Sequence, residues 1–308
     1  DEDSRFGGRL NVEQEDIDGK PAFEWVEQAV AELTEMDNVR LMPRSTAMGA
    51  FDHGVYGVVE RVQDHLHTPV EGKPRQTFWR VYSKGAILCA GATERPIVFP
   101  DNDRPGVMLA GSMRAYANRW AATPARMVAV FTNNDDGHRT AVDLMAKGVD
   151  VTVIVDARLD APTLTDVRLI SGAHVIGTKG RHGLSSIRVR QADGSEETLA
   201  CGALGVSGGW NPNVHLTCHQ GGRPIWDESI AAFVPGQNIP VGMSVAGAAK
   251  GLFSTEDALR SGSEEALAAL EILGVTASAL KLPRAVNSAY NLQPLYHVPH
   301  GKGRAWID

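Results

Sequence analysis

Acids and glycines at the start of the sequence have the composition of a ribose-binding turn. Asp1, Glu2 and Asp3 precede Gly7 and Gly8. In Rossmann folds an acid accepts hydrogen bonds from the ribose hydroxyls of a dinucleotide. Glycines that follow let the backbone approach a ligand closely, because no Cβ intervenes. The segment therefore predicts the adenosine side of a dinucleotide site, with either Asp1 or Glu2 as the ribose ligand. A solvated acidic turn is the alternative.

A second glycine turn follows an apolar strand near residue 90. Ile87–Pro96 contains a predicted strand, then Ala90-Gly91-Ala92, then a proline. In two-domain dinucleotide flavoproteins, a similar apolar run with Ala-Thr-Gly passes beside the cofactor. The segment also stands just before a predicted βαβ unit, as that topology requires. We expect Ala90, Gly91 and Ala92 to line the nucleotide, with an ordinary strand exit as the alternative.

A third turn distinguishes between dinucleotides. Val245–Gly251 follows an apolar strand and precedes a helical pattern. Related flavin enzymes carry Gly-Asp at this point, where the acid contacts the flavin's ribityl chain and the helix N-terminus faces the pyrophosphate. Here Gly247 is followed by Ala248, so the flavin-specific contact is absent. The segment argues against FAD and is compatible with NAD.

The clearest nucleotide-binding frame in the sequence lacks a phosphate cradle. Val128–Arg158 is an apolar strand, a turn, a helix and a second apolar strand. The turn, Thr132–Gly137, has the sequence TNNDDG, where a dinucleotide site needs closely spaced glycines. Its two carboxylates would repel phosphates, whereas asparagine and aspartate suit the cap and first turn of a helix. We therefore predict a structural unit rather than a second NAD(P)H site.

The order of elements predicts one nucleotide-binding unit inserted into another. Val206–Asn213 resembles the Gly-x-x-Pro-Asn stretch at which such chains return to their first domain, although Asn-Pro is also a general turn signal. The predicted fold class is α/β, a thioredoxin-reductase-like Rossmann architecture of two dinucleotide-binding domains with the second βαβ domain inserted in the first. The predicted domains are 1–124 with 204–275 as the main unit, 125–203 as the insert and 276–308 as a connector.

Hydrophobic periodicity places the individual elements. Outside the βαβ unit, helices are predicted at 21–36, 162–171 and 256–273. Strands are predicted at 39–41, 46–51, 55–62, 77–83, 85–91, 174–176, 186–190, 197–199, 203–206 and 241–246.

Composition excludes several classes of function. The 308 residues are 43% hydrophobic with a net charge of −7, which does not favour nucleic acid or an anionic membrane as a partner. There is no apolar run of membrane-spanning length and no signal-peptide pattern, so we expect a cytoplasmic protein. The three cysteines have no paired spacing. His215, Cys218 and His219 lie close together without a second pair of ligands, so no metal site is predicted.

Long segments resemble the alpha subunit of heterotetrameric sarcosine oxidase. They are FGGRLN (6–11), DGKPAFEWV (18–26), LMPRSTAMGAFDHGVYGVVERVQDHL (41–66), ERPIVFPDNDRPGVML (94–109) and FTNNDDGHRTA (131–141). The resemblance covers essentially the whole chain, and the acidic turn is itself one of its most specific features.

The resemblance implies an oxidoreductase complex of four different subunits. Such a complex oxidatively demethylates sarcosine with oxygen to glycine, peroxide and a one-carbon unit that tetrahydrofolate accepts. The alpha subunit binds NAD without turning it over, amine oxidation takes place on FAD in the beta subunit, and FMN lies at the alpha–beta interface. The partners implied are therefore the beta, gamma and delta subunits, with sarcosine and tetrahydrofolate in the full complex.

Two parts of the family pattern lie outside this sequence. The Gly-x-Gly-x-x-Gly unit is expected before Asp1, and a folate-binding domain is expected after Asp308. The residues expected to line the adenine nucleotide are Glu2 or Asp1, Gly7, Gly8, Arg9, Thr46, Ala90, Gly91, Ala92 and Gly247. Lys250, Asn102 and Arg104 are expected on the FMN or interface side, and no residue is expected to catalyse amine oxidation.

Two other functions share this scaffold. One is an NAD(P)H-dependent flavin reductase of thioredoxin-reductase architecture, which Ala248, the acidic turn and the lack of Cys-x-x-Cys disfavour. The other is an amine or opine dehydrogenase subunit, which cluster-binding cysteines in neighbouring sequence would favour.

Overall fold

The computed structural model describes residues 1–163, 166–299 and 303–307 as a mixed α/β structure. The helices are α1 (Ala22–Thr34), α2 (Ala110–Trp120), α3 (Asp135–Ala146) and α4 (Thr255–Ile272). The strands are β1 (Asp16–Ile17), β2 (Lys20–Pro21), β3 (Ser45–Phe51), β4 (Val55–Glu60), β5 (Thr77–Tyr82), β6 (Ala86–Leu88), β7 (Ala92–Glu94), β8 (Val107–Leu109), β9 (Met127–Thr132), β10 (Asp150–Asp156), β11 (Leu169–Ser171), β12 (His174–Lys179), β13 (Ser186–Arg190), β14 (Glu196–Ala200), β15 (Ala203–Ser207), β16 (Trp210–Pro212), β17 (Ile225–Asp227), β18 (Ala232–Val234) and β19 (Met243–Val245). Short 3-10 turns lie at Gly8–Asn11, Asp52–Gly54, His215–Cys218 and Gly247–Lys250.

A five-stranded parallel sheet forms the largest core, in the order β11-β10-β9-β15-β8. All five residues of β15 are buried, which is typical of a parallel strand covered on both faces. Alternate residues of β9 point to opposite faces, so that Val128 and Val130 pack with α2 and α3. Ala129 and Phe131 pack on the other face. Burying the Phe131 side chain completely contributes about 1.5–3 kcal/mol.

The second face of this sheet is covered by an antiparallel sheet of β12, β13 and β14. Val175, Ile187 and Val189 of that sheet are fully buried against Phe131 and its neighbours. The βαβ frame is thereby fixed as a layered unit, with its helices on one side and a small sheet on the other.

The remaining elements form the part of the chain that carries the predicted nucleotide residues. β6 and β19 are a parallel pair, and β3, β4 and β5 form an antiparallel meander. The meander exposes large apolar side chains, and Met48, Phe51, Phe78 and Tyr82 are each more than half exposed.

Most predicted elements are confirmed, and two are wrong. Residues 39–41 do not form a strand. The helix predicted at 162–171 is contradicted by β11, where Leu169 and Ile170 pair with Ile154 and Val155 of β10; residues 164 and 165 lie outside the described part of the chain. The strand forms because pairing with the edge of β10 satisfies its backbone hydrogen-bonding groups. This pairing outweighs the local helical pattern.

The division into domains stays a proposal. The pairing of β8 with β15 groups Val107–Leu109 with the second unit rather than the first. Among the described residues, no helix has both the length and the apolar character needed to cross a membrane.

Candidate functional site

The acidic N-terminal residues lie along the start of β3. The Ser45 N–H donates to the Asp1 carbonyl at 2.7 Å, and the Arg44 N–H donates to the Asp3 carbonyl at 2.8 Å. Arg119 donates to the Asp3 carboxylate, and this hydrogen bond holds the pKa of Asp3 well below its usual range. The Glu2 carboxylate makes no side-chain hydrogen bond to any described residue and is exposed, which makes it the better placed of the two predicted ribose ligands.

The two glycines of the Gly7-Gly8 turn have different surroundings. Gly7 has φ +114°, and a Cβ there would lie 2.8 Å from Cγ1 of Val26 on α1. Gly8 has φ +50°, and a Cβ there would meet no atom within 4 Å. Packing therefore explains Gly7, whereas Gly8 faces open space where a ligand could approach the backbone.

The strand exit at Ala90–Ala92 is held by the return segment. The Asn213 side chain donates to the Ala90 carbonyl at 2.8 Å, and its N–H donates to the Gly91 carbonyl at 3.0 Å. Thr93 donates to the Asn213 side-chain oxygen at 2.9 Å. Gly91 has φ +70° with no neighbour within 4 Å of a Cβ, so its open side also fits the close approach of a ligand.

Gly247 lies next to this exit. β19 pairs with β6 so that Val245 is opposite Leu88, and the Ala246 N–H donates to the Leu88 carbonyl at 3.0 Å. The Gly91 and Gly247 turns thus follow the carboxyl ends of two neighbouring parallel strands, the edge at which open α/β sheets bind ligands. Thr46 is exposed on β3.

The three residues expected on the flavin or interface side are all engaged within the chain. Asn102 and the backbone of Trp306 exchange two hydrogen bonds of 2.8 Å. Arg104 donates to the Thr178 hydroxyl at 3.0 Å, and Lys250 pairs with Glu265 at 2.7 Å. A phosphate group would have to compete with these contacts, so the three side chains do not form a free phosphate site.

The acidic turn of the second unit begins α3 as predicted. Asn134 is the N-cap, and its side chain accepts the Asp136 N–H at 2.9 Å. Its amide also donates to the carbonyl and the hydroxyl of Ser207 at 3.1 and 3.2 Å, which ties the turn to the end of β15. Both residues are fully buried, so the turn is internal rather than solvated.

The buried Asp136 carboxylate pairs with three arginines, of which Arg114 is buried and Arg9 and Arg139 are partly exposed. Its Oδ1 accepts from Arg9 at 3.1 Å and from Arg114 at 3.4 Å, and it pairs with Arg139 at 3.1 Å. Its Oδ2 accepts from the Trp210 indole at 3.1 Å. The Arg9 guanidinium also stacks over Trp210, 4.3 Å from the ring centroid. Arg9, predicted to line the nucleotide, therefore points to the second unit.

Two more acids complete this Asp136 cluster. Glu13 pairs with Arg9, and Asp143 pairs with Arg114. Burial opposes ionisation of Asp136, but the arginines around it outweigh that effect and hold its pKa well below the usual range. The cluster joins the N-terminal turn, α2 and α3.

Glu94 is the acid of this region that remains without a cation. Burial, reinforced by the nearby Asp136 carboxylate, raises the pKa of Glu94 to about 8. One carboxyl oxygen accepts the Gly111 N–H at 2.7 Å, and the other is buried without a partner among the described residues. Burial therefore favours the protonated form of Glu94.

A second buried group of ion pairs, around Asp156, was not predicted from the sequence. Asp156 ends β10, where a Rossmann unit places its ribose-binding acid. Here its carboxylate contacts His138 Nε2 at 2.7 Å and accepts from Arg158 at 2.8 Å. Arg158 also donates to Asp135 at 2.6 Å. The acid at the end of the second strand was the one available signal, and its side chain is fully buried.

The predicted absence of a metal site concerned His215, Cys218 and His219, and the last two contact backbone groups. His219 Nδ1 accepts the Ala50 N–H at 3.1 Å, and the Cys218 thiol faces the Val214 carbonyl at 3.4 Å. Within the described ranges, no group of three or more His, Cys, Asp or Glu side chains is arranged to hold a metal ion.

Comparison with known proteins relates the chain to the alpha subunits of sarcosine oxidases. It is 41% identical over 313 residues to the alpha subunit of the sarcosine oxidase of Rhizobium meliloti (strain 1021), covering 100% of this chain and 31% of that protein. The predicted resemblance to the sarcosine oxidase alpha subunit is confirmed. The corresponding protein of Corynebacterium sp. (strain P-1) is 34% identical, over 98% of this chain and 33% of that protein. The chain thus spans about a third of the length of these relatives.

A more distant relative belongs to an opine oxidase of Rhizobium meliloti. This opine oxidase subunit is 25% identical over 92% of this chain and 58% of that protein. No family model matches the chain.

Solved structures confirm the fold class. The L-proline dehydrogenase of P. horikoshii superposes with a TM-score of 0.68 at 21% identity, over 90% of this chain and 50% of that chain. The thioredoxin reductase of T. acidophilum superposes with a TM-score of 0.62 at 12% identity, over 87% and 86% of the two chains. At these identities the likeness shows the architecture alone, which is the predicted thioredoxin-reductase-like α/β fold.

Proposed function

We propose that the chain is the NAD-binding core of a sarcosine-oxidase alpha subunit. The observation that carries this proposal is the 41% identity to such a protein along the entire chain. The segments that resemble this family include the Gly7-Gly8 turn of the first unit and the acidic turn of the second. An oxidoreductase role follows from the same relationship.

In the intact complex, sarcosine is oxidatively demethylated to glycine, with peroxide and a one-carbon unit that passes to tetrahydrofolate. Amine oxidation belongs to FAD on the partner beta subunit. No residue of this chain is assigned to that chemistry. Its Asp136 cluster is buried and balanced by arginines, so it is suited to holding elements together rather than to handling an amine.

The nucleotide surface of the first unit fits NAD. Gly8 and Gly91 have positive φ and open space on the side where a Cβ would stand, and Glu2 presents a free carboxylate. Ala248 cannot make the contact to a ribityl chain that an aspartate would supply, so a flavin at this position is disfavoured. When bound, NAD would be a redox-capable dinucleotide; the proposed role here is retention without turnover.

The residues proposed to line the nucleotide remain those predicted from the sequence. They are Asp1 or Glu2, Gly7, Gly8, Arg9, Thr46, Ala90, Gly91, Ala92 and Gly247. Arg9 would act indirectly, because its guanidinium is held by Asp136 and Trp210 and it supports the glycine turn.

The wider assembly is also part of the proposal. We assign the chain to a cytoplasmic heterotetramer with beta, gamma and delta subunits and FMN at the alpha–beta interface. Lys250, Asn102 and Arg104 stay candidates for that interface, although their present partners lie within the chain.

An opine oxidase subunit is the second candidate. The 25% identity to such a protein over most of this chain favours it. A free-standing NAD(P)H-dependent flavin reductase is less consistent with the structure, because the acidic turn and Asp156 of the second unit are buried and fully engaged.

Binding of NAD to the intact protein tests the nucleotide site. Gly91→Asn adds a side chain on the open face of the turn, and asparagine tolerates its positive φ. We expect the dissociation constant for NAD, measured by isothermal titration calorimetry, to rise by roughly tenfold or more, since one blocked contact region removes at least about 1.4 kcal/mol of binding free energy.

Gly72→Asn is the matched control. Gly72 has φ +79° and no neighbour within 4 Å, but it lies in the loop between β4 and β5, outside the proposed site. It is expected to leave the affinity for NAD unchanged. Equal affinities of the two variants would contradict the placement of the nucleotide beside Gly91.

A further inference from the structure

A segment near the C-terminus crosses the carboxyl edge of the five-stranded parallel sheet of the second unit. Leu292 forms a bridge with Asn134, which stands between β9 and α3. Farther along, the Val98 N–H donates to the Tyr296 carbonyl at 2.9 Å, and the Val298 N–H donates to the Val98 carbonyl at 2.8 Å. The segment 289–298, termed here the crossing segment, is thus attached at both ends.

Asn291 is the most completely bound residue of the crossing segment. Its N–H and its side-chain amide both donate to Asp135 Oδ2, at 3.0 and 2.8 Å. Its carbonyl accepts from Arg158 at 2.9 Å, and more weakly from the Asp135 N–H at 3.3 Å. Arg158 also donates to Asp135. The Asp135–Arg158 ion pair therefore binds both the main chain and the side chain of Asn291.

Neighbouring residues of the crossing segment are held in the same way. Asn133 accepts the Gln293 N–H at 3.0 Å and donates its side-chain amide to the Gln293 carbonyl at 2.9 Å. Tyr290 accepts the Trp210 N–H at 3.0 Å through its hydroxyl, and its ring packs against Phe253 with centroids 4.7 Å apart. Tyr290, Asn291 and the peptide groups of Gln293 are therefore each hydrogen-bonded to a residue outside the crossing segment.

These partners occupy the positions that bind a dinucleotide in a Rossmann unit. The turn at the N-terminus of the helix cradles the pyrophosphate, and the acid at the end of the second strand holds the ribose. In this chain the turn residues Asn133 and Asp135 bind peptide groups, while Asp156 is held by His138 and Arg158. Peptide N–H donors suit the carboxylate of Asp135, whereas phosphate would be repelled by it.

We propose that the carboxyl edge of the second unit is a peptide-recognition site, and that its ligand is the chain's own crossing segment, with Asn291 read by the Asp135–Arg158 pair. The acidic turn is then a binding site that has changed its ligand class from phosphate to peptide. Its acids supply acceptors for peptide N–H groups, which a glycine-rich cradle lacks.

Hydrogen exchange on the intact protein tests the proposal. The N–H groups of Asn291 and Gln293 should be protected, because both are donors to the turn. Asn291→Asp places a second carboxylate against Asp135. We expect amide exchange over 289–294, followed by mass spectrometry, to accelerate by roughly tenfold, while exchange in β9 and β10 stays unchanged.

Asn287→Asp is the matched control. It makes the same chemical change at an exposed residue four positions earlier, outside the crossing segment, and should leave exchange over 289–294 at the wild-type rate. Adding Asp135→Asn to Asn291→Asp restores a donor–acceptor pair with the roles exchanged, and should recover most of the lost protection. Equal exchange in the two single variants, or no recovery in the double variant, would overturn the proposal.

Discussion

At the scale of single residues, the acids of the TNNDDG turn have separate tasks. Asp135 binds Asn291, and Asp136 gathers Arg9, Arg114 and Arg139. The sequence shows that such acids suit a helix start and oppose a phosphate. Helical spacing also shows Arg139, three residues from Asp136 on α3. It does not show Arg9, which lies 127 residues away along the chain, or Arg114, because tertiary packing brings these two to Asp136.

Glu94 gives a prediction for the pH dependence of stability. Its pKa is raised by burial to about 8 in the folded protein, from an ordinary value of 4.5. Between these values the folded state holds a proton that the unfolded state has lost, so the contribution to stability is full below pH 4.5 and declines as the pH rises toward about 8.

The measurement compares the wild type with Glu94→Gln. Glutamine can still accept the Gly111 N–H but does not titrate. The free energy of unfolding of the wild type should fall relative to the variant between about pH 5 and pH 8, by at most about 1.4 kcal/mol per pH unit. A difference between the two proteins that is constant with pH would show that Glu94 is not buried and protonated.

At the scale of elements, periodicity was sufficient where the pattern was long. Helices α1, α3 and α4 and the strands of the βαβ unit lie where the sequence predicts them, because each has a regular apolar face. The failure at 162–171 has a different origin. Three residues, Leu169–Ser171, form a strand only because the edge of β10 is available to pair with them.

In the candidate nucleotide site, too, only the features that a local sequence pattern encodes could be predicted. The glycine turns after β6 and β19 could be found because glycine with an apolar strand before it is a local signal. That Gly7 serves α1 packing, and that Arg9 turns to the second unit, depends on contacts with Val26 and Asp136 that no local pattern encodes.

The Asp136 cluster should determine how firmly α2, α3 and the N-terminal turn are joined. Asp136→Asn removes a buried carboxylate that pairs with the buried Arg114 and with the partly exposed Arg9 and Arg139. We expect the free energy of unfolding, measured by denaturant titration, to fall by about 3–5 kcal/mol. Asp150→Asn, at an exposed position on β10, is the control and should change stability by less than about 0.5 kcal/mol. Similar values for the two variants would contradict a stabilising role for the cluster.

At the scale of the whole molecule, the two similar units differ at the carboxyl edges of their sheets. The first unit has glycine turns at the carboxyl ends of β6 and β19, of which the one at Gly91 is open, and an exposed carboxylate at Glu2. The second unit has its turn buried, its ribose-type acid neutralised and its edge crossed by the segment 289–298. We therefore propose that the chain binds a single dinucleotide, in its first unit.

The stoichiometry of nucleotide binding tests this proposal. Intact wild-type protein and an Asn134→Gly variant, which gives the turn a glycine without removing Asp135 or Asp136, are titrated with NAD and with NADPH by isothermal titration calorimetry. We predict one equivalent of NAD per chain in both proteins and no second equivalent of either nucleotide. A second bound equivalent, or tight NADPH binding that Asn134→Gly improves, would contradict nucleotide binding by the first unit alone.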